Sequence, residues 1–155
     1  MNNPVVRNLV AVIGGLIVAM VVVFVVEGIG HAIFPPPEGL DLMNPEDQAR
    51  LMEAIPTEAK VAVVIAWFLG SVAGACTAIA ISHRALMAWI VGLVIALMSV
   101  WTTQMFPHPD WMLAAGAVLP LVAVLVAKRL MAARRLSGQD DRPQGSARSG
   151  AGRLS

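Results

Sequence analysis

The chain has 155 residues, 57% of them hydrophobic and only 14% charged, with a mean hydropathy of +0.73 and a net charge of +1. One domain fits in that length, and a soluble domain of this size needs far more polar surface to cover its core. Lipid must therefore be the solvent for most of the chain. A lone cysteine, Cys76 in an apolar stretch, excludes an intrachain disulfide framework and the membrane thiol oxidoreductases, which need paired cysteines.

The first element is the strongest. Leu9 to Val26 is an unbroken run of 18 apolar residues, thirteen of them aliphatic or Phe. At about −0.3 to −0.6 kcal/mol each, these favour insertion by roughly −4 to −8 kcal/mol. The run is longer than a signal-peptide core and no Ala-x-Ala-like site follows it, so it reads as a retained span over about 5–33. Pro35-Pro36-Pro37 then ends the helix, because consecutive prolines lack backbone donors and favour an extended path. The outer loop runs over 35–56. Within it, Asn44-Pro45-Glu46-Asp47 is a helix start: a capping side chain, a proline suited to the first position, and two acids at the positive dipole end. The short amphipathic helix that follows turns Leu51, Met52 and Ile55 to the membrane or bundle, and Glu46, Arg50 and Glu53 away.

Three further spans are expected at about 58–82, 85–106 and 109–132. Each approaches the ~20 residues that cross ~30 Å of hydrocarbon. Ser82-His83-Arg84 and Pro107-His108-Pro109-Asp110 are tight returns between antiparallel neighbours, and Pro120 should bend the last span. Residues 137–155 are rich in Gly, Ser, Arg and Gln and read as a disordered cytoplasmic tail behind a membrane domain of residues 1–136. The fold class is all-α, a four-transmembrane-helix bundle.

Charge sets the orientation. Nine Lys and Arg residues fall on one side (Arg7, Arg84 and the seven from Lys128 onward), against Arg50 and Lys60 beside six acids on the other. The positive-inside rule puts both termini in the cytoplasm and the acidic loop outside. Phe34, Trp101, Phe106 and Trp111 mark the outer boundary and Trp89 the inner one; Trp67, two turns inside, reads as a packing residue.

Small residues supply the packing code. Ala62, Ala66, Gly70, Gly74 and Ala78 recur every four positions, as do Ala11-Gly15-Ala19 and Ala88-Gly92-Ala96. In lipid such stripes let backbones approach closely. Intramolecular packing is the favoured reading, with homodimerisation as the alternative. Gly70-Ser71 lacks the residue that a nucleophile elbow places between Gly and Ser, so Ser71 is expected to bond back to its own helix. No phosphate-cradling loop, metalloprotease helix or paired-cysteine metal motif occurs.

Chemistry-bearing residues gather at the outer rim. Glu27 and His31 share a helix face, and Thr102, Thr103, Gln104, His108 and Asp110 arrive at the same depth. Glu27, His31, His108 and Asp110 are candidates for a metal or proton site; the alternative is a set of rim hydrogen bonds. Small multidrug exporters also carry a Glu in their first helix. Theirs is mid-helix and their loops are short, whereas Glu27 lies at the outer end before a long loop.

The stretch Val26-Glu27-Gly28-Ile29-Gly30-His31-Ala32-Ile33-Phe34-Pro35-Pro36-Pro37 resembles the end of the first helix in a family of small bacterial four-helix integral membrane proteins with a Glu-x-x-x-His…Phe-Pro-Pro-Pro signature. Phe106-Pro107-His108-Pro109-Asp110-Trp111 resembles its second signature. The resemblance spans roughly residues 5–130 and implies the fold without bringing an activity. The leading functional reading is a structural or partner-binding bundle whose partners are the lipid bilayer and a second copy or another membrane protein. An oligomeric small-solute or ion conduit, and an enzyme using the rim Glu/His pair, are the alternatives. Nothing points to a cofactor or to nucleic acid. Reporter tags fused to the two ends should appear on the same, cytoplasmic face in a protease-protection assay; tags on opposite faces would remove an even number of crossings.

Overall fold

The structure, a computed structural model, describes residues 3–35, 39, 44–105 and 107–140. Its helices are α1 (Pro4–Ile33), α2 (Pro45–Ala54), α3 (Thr57–Ser82), α4 (Ala85–Met105) and α5 (Asp110–Asp140). Four of them, all but α2, are long and apolar enough to cross a membrane. At 1.5 Å per residue the shortest, α4, spans about 32 Å, just enough for the hydrocarbon core.

Local chemistry sets the boundaries. The Val5 amide donates to Asn3 Oδ1 at 2.9 Å and the Glu46 amide to Asn44 Oδ1 at 3.0 Å, each ahead of a helix that opens on proline. Between α3 and α4 the chain reverses in two residues. His83 takes the left-handed conformation (φ 58°) and donates its amide to the Ile79 carbonyl, while the Ser82 hydroxyl donates to Ala78 and accepts from the Arg84 amide. That turn satisfies groups a helix end would otherwise leave unpaired. The expected end of the fourth span is exceeded: α5 continues to Asp140, past the expected tail boundary at 137. Strong helix formers, Ala132-Ala133-Arg134-Arg135-Leu136, carry the helix beyond the expected end of the span at 132, and Ser137 to Asp140 extend it by one more turn. Residues 141–155 of the expected tail, together with Pro36, Pro37 and Phe106, lie outside the described residues.

Packing is inverted relative to a soluble protein. The buried set is dominated by Ala, Gly and Ser, whereas Leu9, Ile17, Phe24, Leu93 and Leu97 are exposed, Phe24 by 80%. Such a surface is stable only in an apolar solvent. Helix α3 is central and packs on α1, α4 and α5. It runs antiparallel to α1, with Gly15 facing Gly74 and Ala19 facing Gly70. A Cβ built on Gly74 would lie 2.6 Å from the Gly15 carbonyl oxygen, and one on Gly15 would lie 2.8 Å from that of Gly74. The two backbones touch. The α4 stripe turns instead to α5, where Gly92 sits against Val124 and the carbonyl of Pro120. Ser71 bonds back to the Trp67 carbonyl at 2.6 Å, as its position on an uninterrupted helix dictates.

These contacts gather the ends. The start of α1, the α3–α4 turn and the end of α5 share one end of the bundle, carrying Arg7, Arg84, Lys128, Arg129, Arg134 and Arg135. There the Lys128 ammonium lies 5.9 Å from the Trp89 ring centroid. The other end carries α2, Lys60, and the acids Glu46, Asp47, Glu53 and Glu58.

Overpacking at the α1–α3 seam should cost about 1–3 kcal/mol. Gly74→Ala should therefore lower the unfolding midpoint in a mixed-micelle denaturation. Gly28→Ala, whose Cβ would meet nothing within 4 Å, should instead raise stability by about 0.5–1 kcal/mol. Equal responses at the two positions would contradict the seam.

Candidate site at the rim of the bundle

At the acidic end, the last turns of α1 and the first turns of α3 stay close, a Cβ on Gly30 lying only 3.7 Å from that of Ala62, and a gap opens beside them. Helix α2 lies over the gap. It makes no close backbone approach to any spanning helix, yet Leu51 is buried and Met52 and Ile55 line the space beneath. Glu46, Arg50 and Glu53 face out, with Arg50 Nη1 3.7 Å from Asp47 Oδ1. The cavity is open on one side and has a volume of about 210 Å³. One water needs only ~10–15 Å³ on that measure, so there is room for a small molecule or the headgroup end of a larger one.

Its wall is mostly apolar, with Phe34 from α1, Val63 from α3 and Met112 from α5. Four polar side chains open into it: Glu27, His31, Lys60 and His108. Glu27 is half-buried on α1. It is flanked by the His31 imidazole one turn on, and the Trp67 indole N–H donates toward its carboxylate from α3. Trp67 itself is buried in a cluster with Val64 and Met112. Gly116 of α5 makes room for its ring: a Cβ there would lie 3.0 Å from Trp67 Cζ3. One side chain thus joins the packing core to the polar wall.

The rim residues picked out by the sequence divide into two groups. Glu27, His31 and His108 share the cavity. Asp110 and Gln104 line a separate depression at the α4–α5 turn, which His108 also borders. Thr102 and Thr103 are absorbed by their own helix, donating to the carbonyls of Met98 and Val100. Among the described residues no three His, Cys, Asp or Glu side chains come together in a group that could hold a metal ion. The four metal candidates are thus split: Asp110 is not among the residues lining the cavity that holds the other three. Two participants escaped the sequence reading. Lys60 counted only towards charge balance, and Trp67 only as packing, although their spacing of seven residues, two helical turns, sets them on one face of α3.

No protein-family model, curated protein or solved structure matches the chain.

The Trp67–Glu27 contact should appear as energetic coupling. In a double-mutant cycle, Trp67→Phe and Glu27→Gln should be non-additive by about 0.5–1.5 kcal/mol in unfolding free energy. Additivity within ~0.3 kcal/mol would mean that the indole N–H does not support the carboxylate.

Proposed function

We propose that this chain is a binding protein of the bacterial inner membrane, a non-catalytic bundle that receives a ligand or a membrane partner in its outer-rim cavity. The observation that carries this reading is the composition of the cavity wall: a mostly apolar lining with a few convergent polar groups, one of them braced by a buried indole. Both termini lie in the cytoplasm and the cavity opens outward, a placement supported by the basic residues gathered at the opposite end. Glu27, His31 and Phe34, the residues that carry the sequence resemblance, all line this same wall.

Conduction by a single copy is disfavoured by the interior. The axis of the bundle is closed by backbone contacts at Gly15–Gly74 and by Val91 and Val124, both fully buried. A path for solute would have to run between several copies.

Ligand binding is testable by thermal stabilisation of detergent-purified protein. A lipid extract from the host membrane should raise the unfolding midpoint of the wild-type chain by several degrees. This is the order expected from ~2.7 kcal/mol at a hundredfold excess over Kd. Ala59→Trp, which places an indole in the cavity, should abolish most of that shift. Equal shifts in the two proteins would remove the cavity as the binding site.

A further inference from the structure

The cavity wall carries two opposite charges that do not meet. Glu27 from α1 and Lys60 from α3 both line it, yet no ion pair joins them, and Lys60 makes no side-chain hydrogen bond to any described residue. Glu27 is occupied on one side by the Trp67 N–H and on another by His31. Opposite charges held apart across a small, largely apolar space present a positive and a negative pole to whatever enters. A ligand with one charge would meet a like charge at the far pole, which is unfavourable in a partly desolvated site. A zwitterion meets both poles with the correct sign.

Depth selects the source of that zwitterion. Lys60 lies three residues inside the start of α3 and Glu27 six residues before the end of α1, or about 5 and 9 Å along the helices. The headgroup layer occupies that level of a bilayer. The apolar part of the wall, including Phe34, Met52 and Ile55, suits the glycerol and the first methylenes of a lipid. Resting on the binding role proposed above, we propose that the cavity holds the headgroup of a zwitterionic phospholipid bearing a primary ammonium, with the ammonium donating to Glu27 and the phosphate accepting from Lys60. His31 and His108 stand along the same wall. A phosphoethanolamine headgroup fits this pattern. A choline headgroup has no N–H to donate to the carboxylate, and an anionic glycerol headgroup offers nothing to Glu27 but hydroxyls and a like charge nearby.

The full chain in detergent, mixed with equal amounts of short-chain phosphatidylethanolamine, phosphatidylcholine and phosphatidylglycerol, can be assayed by native mass spectrometry. One phosphatidylethanolamine should be retained, about tenfold or more over either competitor, as expected for one charge-assisted hydrogen bond. Glu27→Gln should bring that ratio close to one. Lys60→Met removes a contact to the phosphate that all three lipids carry, so it should lower the retention of each about tenfold and leave the ratio; because Lys60 sits near a helix end, this variant keeps the proposal testable should the Glu27 change disturb folding. Equal retention of all three lipids by the wild-type chain, a ratio untouched by Glu27→Gln, or retention untouched by Lys60→Met would overturn the proposal. Competition by water-soluble glycerophosphoethanolamine at the same concentration as the lipid would reassign the site to a free zwitterion and overturn the lipid source. If the stabilisation by membrane extract persists while none of the three lipids is selected, the headgroup assignment fails and the binding role stands; loss of both removes the two together.

Discussion

Direct contact between the backbones of α1 and α3 is the constraint on which the rest of the molecule depends. In lipid, burying a large apolar side chain between helices gains little, because the acyl chains outside are equally apolar. Dispersion between closely approaching backbones is what remains, and it requires side chains small enough to permit it. Gly15, Ala19, Gly70 and Gly74 provide that along one seam, with Ala11 and Ala78 continuing it to the basic end. Because α1 touches α3 and α4 but not α5, the seam also fixes which helices are left to build the rest of the bundle around α3.

The seam has an end, and the site begins there. Towards the acidic end direct backbone contact gives way to side-chain contact, as between Gly30 and Ala62, and the cavity lies beside it. Trp67 marks the transition. Its ring is held by Val64, Met112 and Gly116, and its N–H reaches Glu27. A buried indole needs a partner for its N–H, and a half-buried carboxylate needs donors, so each group answers the other's requirement. The α2 helix roofs the space with Met52 and Ala54, and Ile55 follows at its end. Among the described helices it is the one that makes no close backbone approach to the others.

The two ends of the bundle are chemically different objects. One gathers Arg and Lys, with Lys128 lying over Trp89, and suits contact with anionic lipid headgroups. The other mixes acids with a single lysine in the cavity wall and a capped amphipathic helix above it. The two ends thus differ in charge and in shape, while the middle of the bundle is left to close packing.

The amino-acid sequence by itself determined the elements and the solvent. Apolar runs of spanning length, prolines and Asn caps at their ends, and small residues every fourth position each act through the local chain, so the four spans, the short helix from Pro45 and the Gly70–Gly74 stripe were legible within a residue or two. The end of α5 was not: alanine and arginine carry the helix through Leu136, and it runs on for one turn over Ser137-Gly138-Gln139-Asp140, whose low apolar content reads as a tail. Glu27 and His31 could be paired in advance, being one turn apart. Only the tertiary structure decided that His108 joins them while Asp110 does not, that Lys60 completes the wall, and that Trp67 braces it. Those relations depend on the rotation and separation of helices packed against one another, and such quantities are set by how side chains interlock across the seam, not by spacing along any one helix.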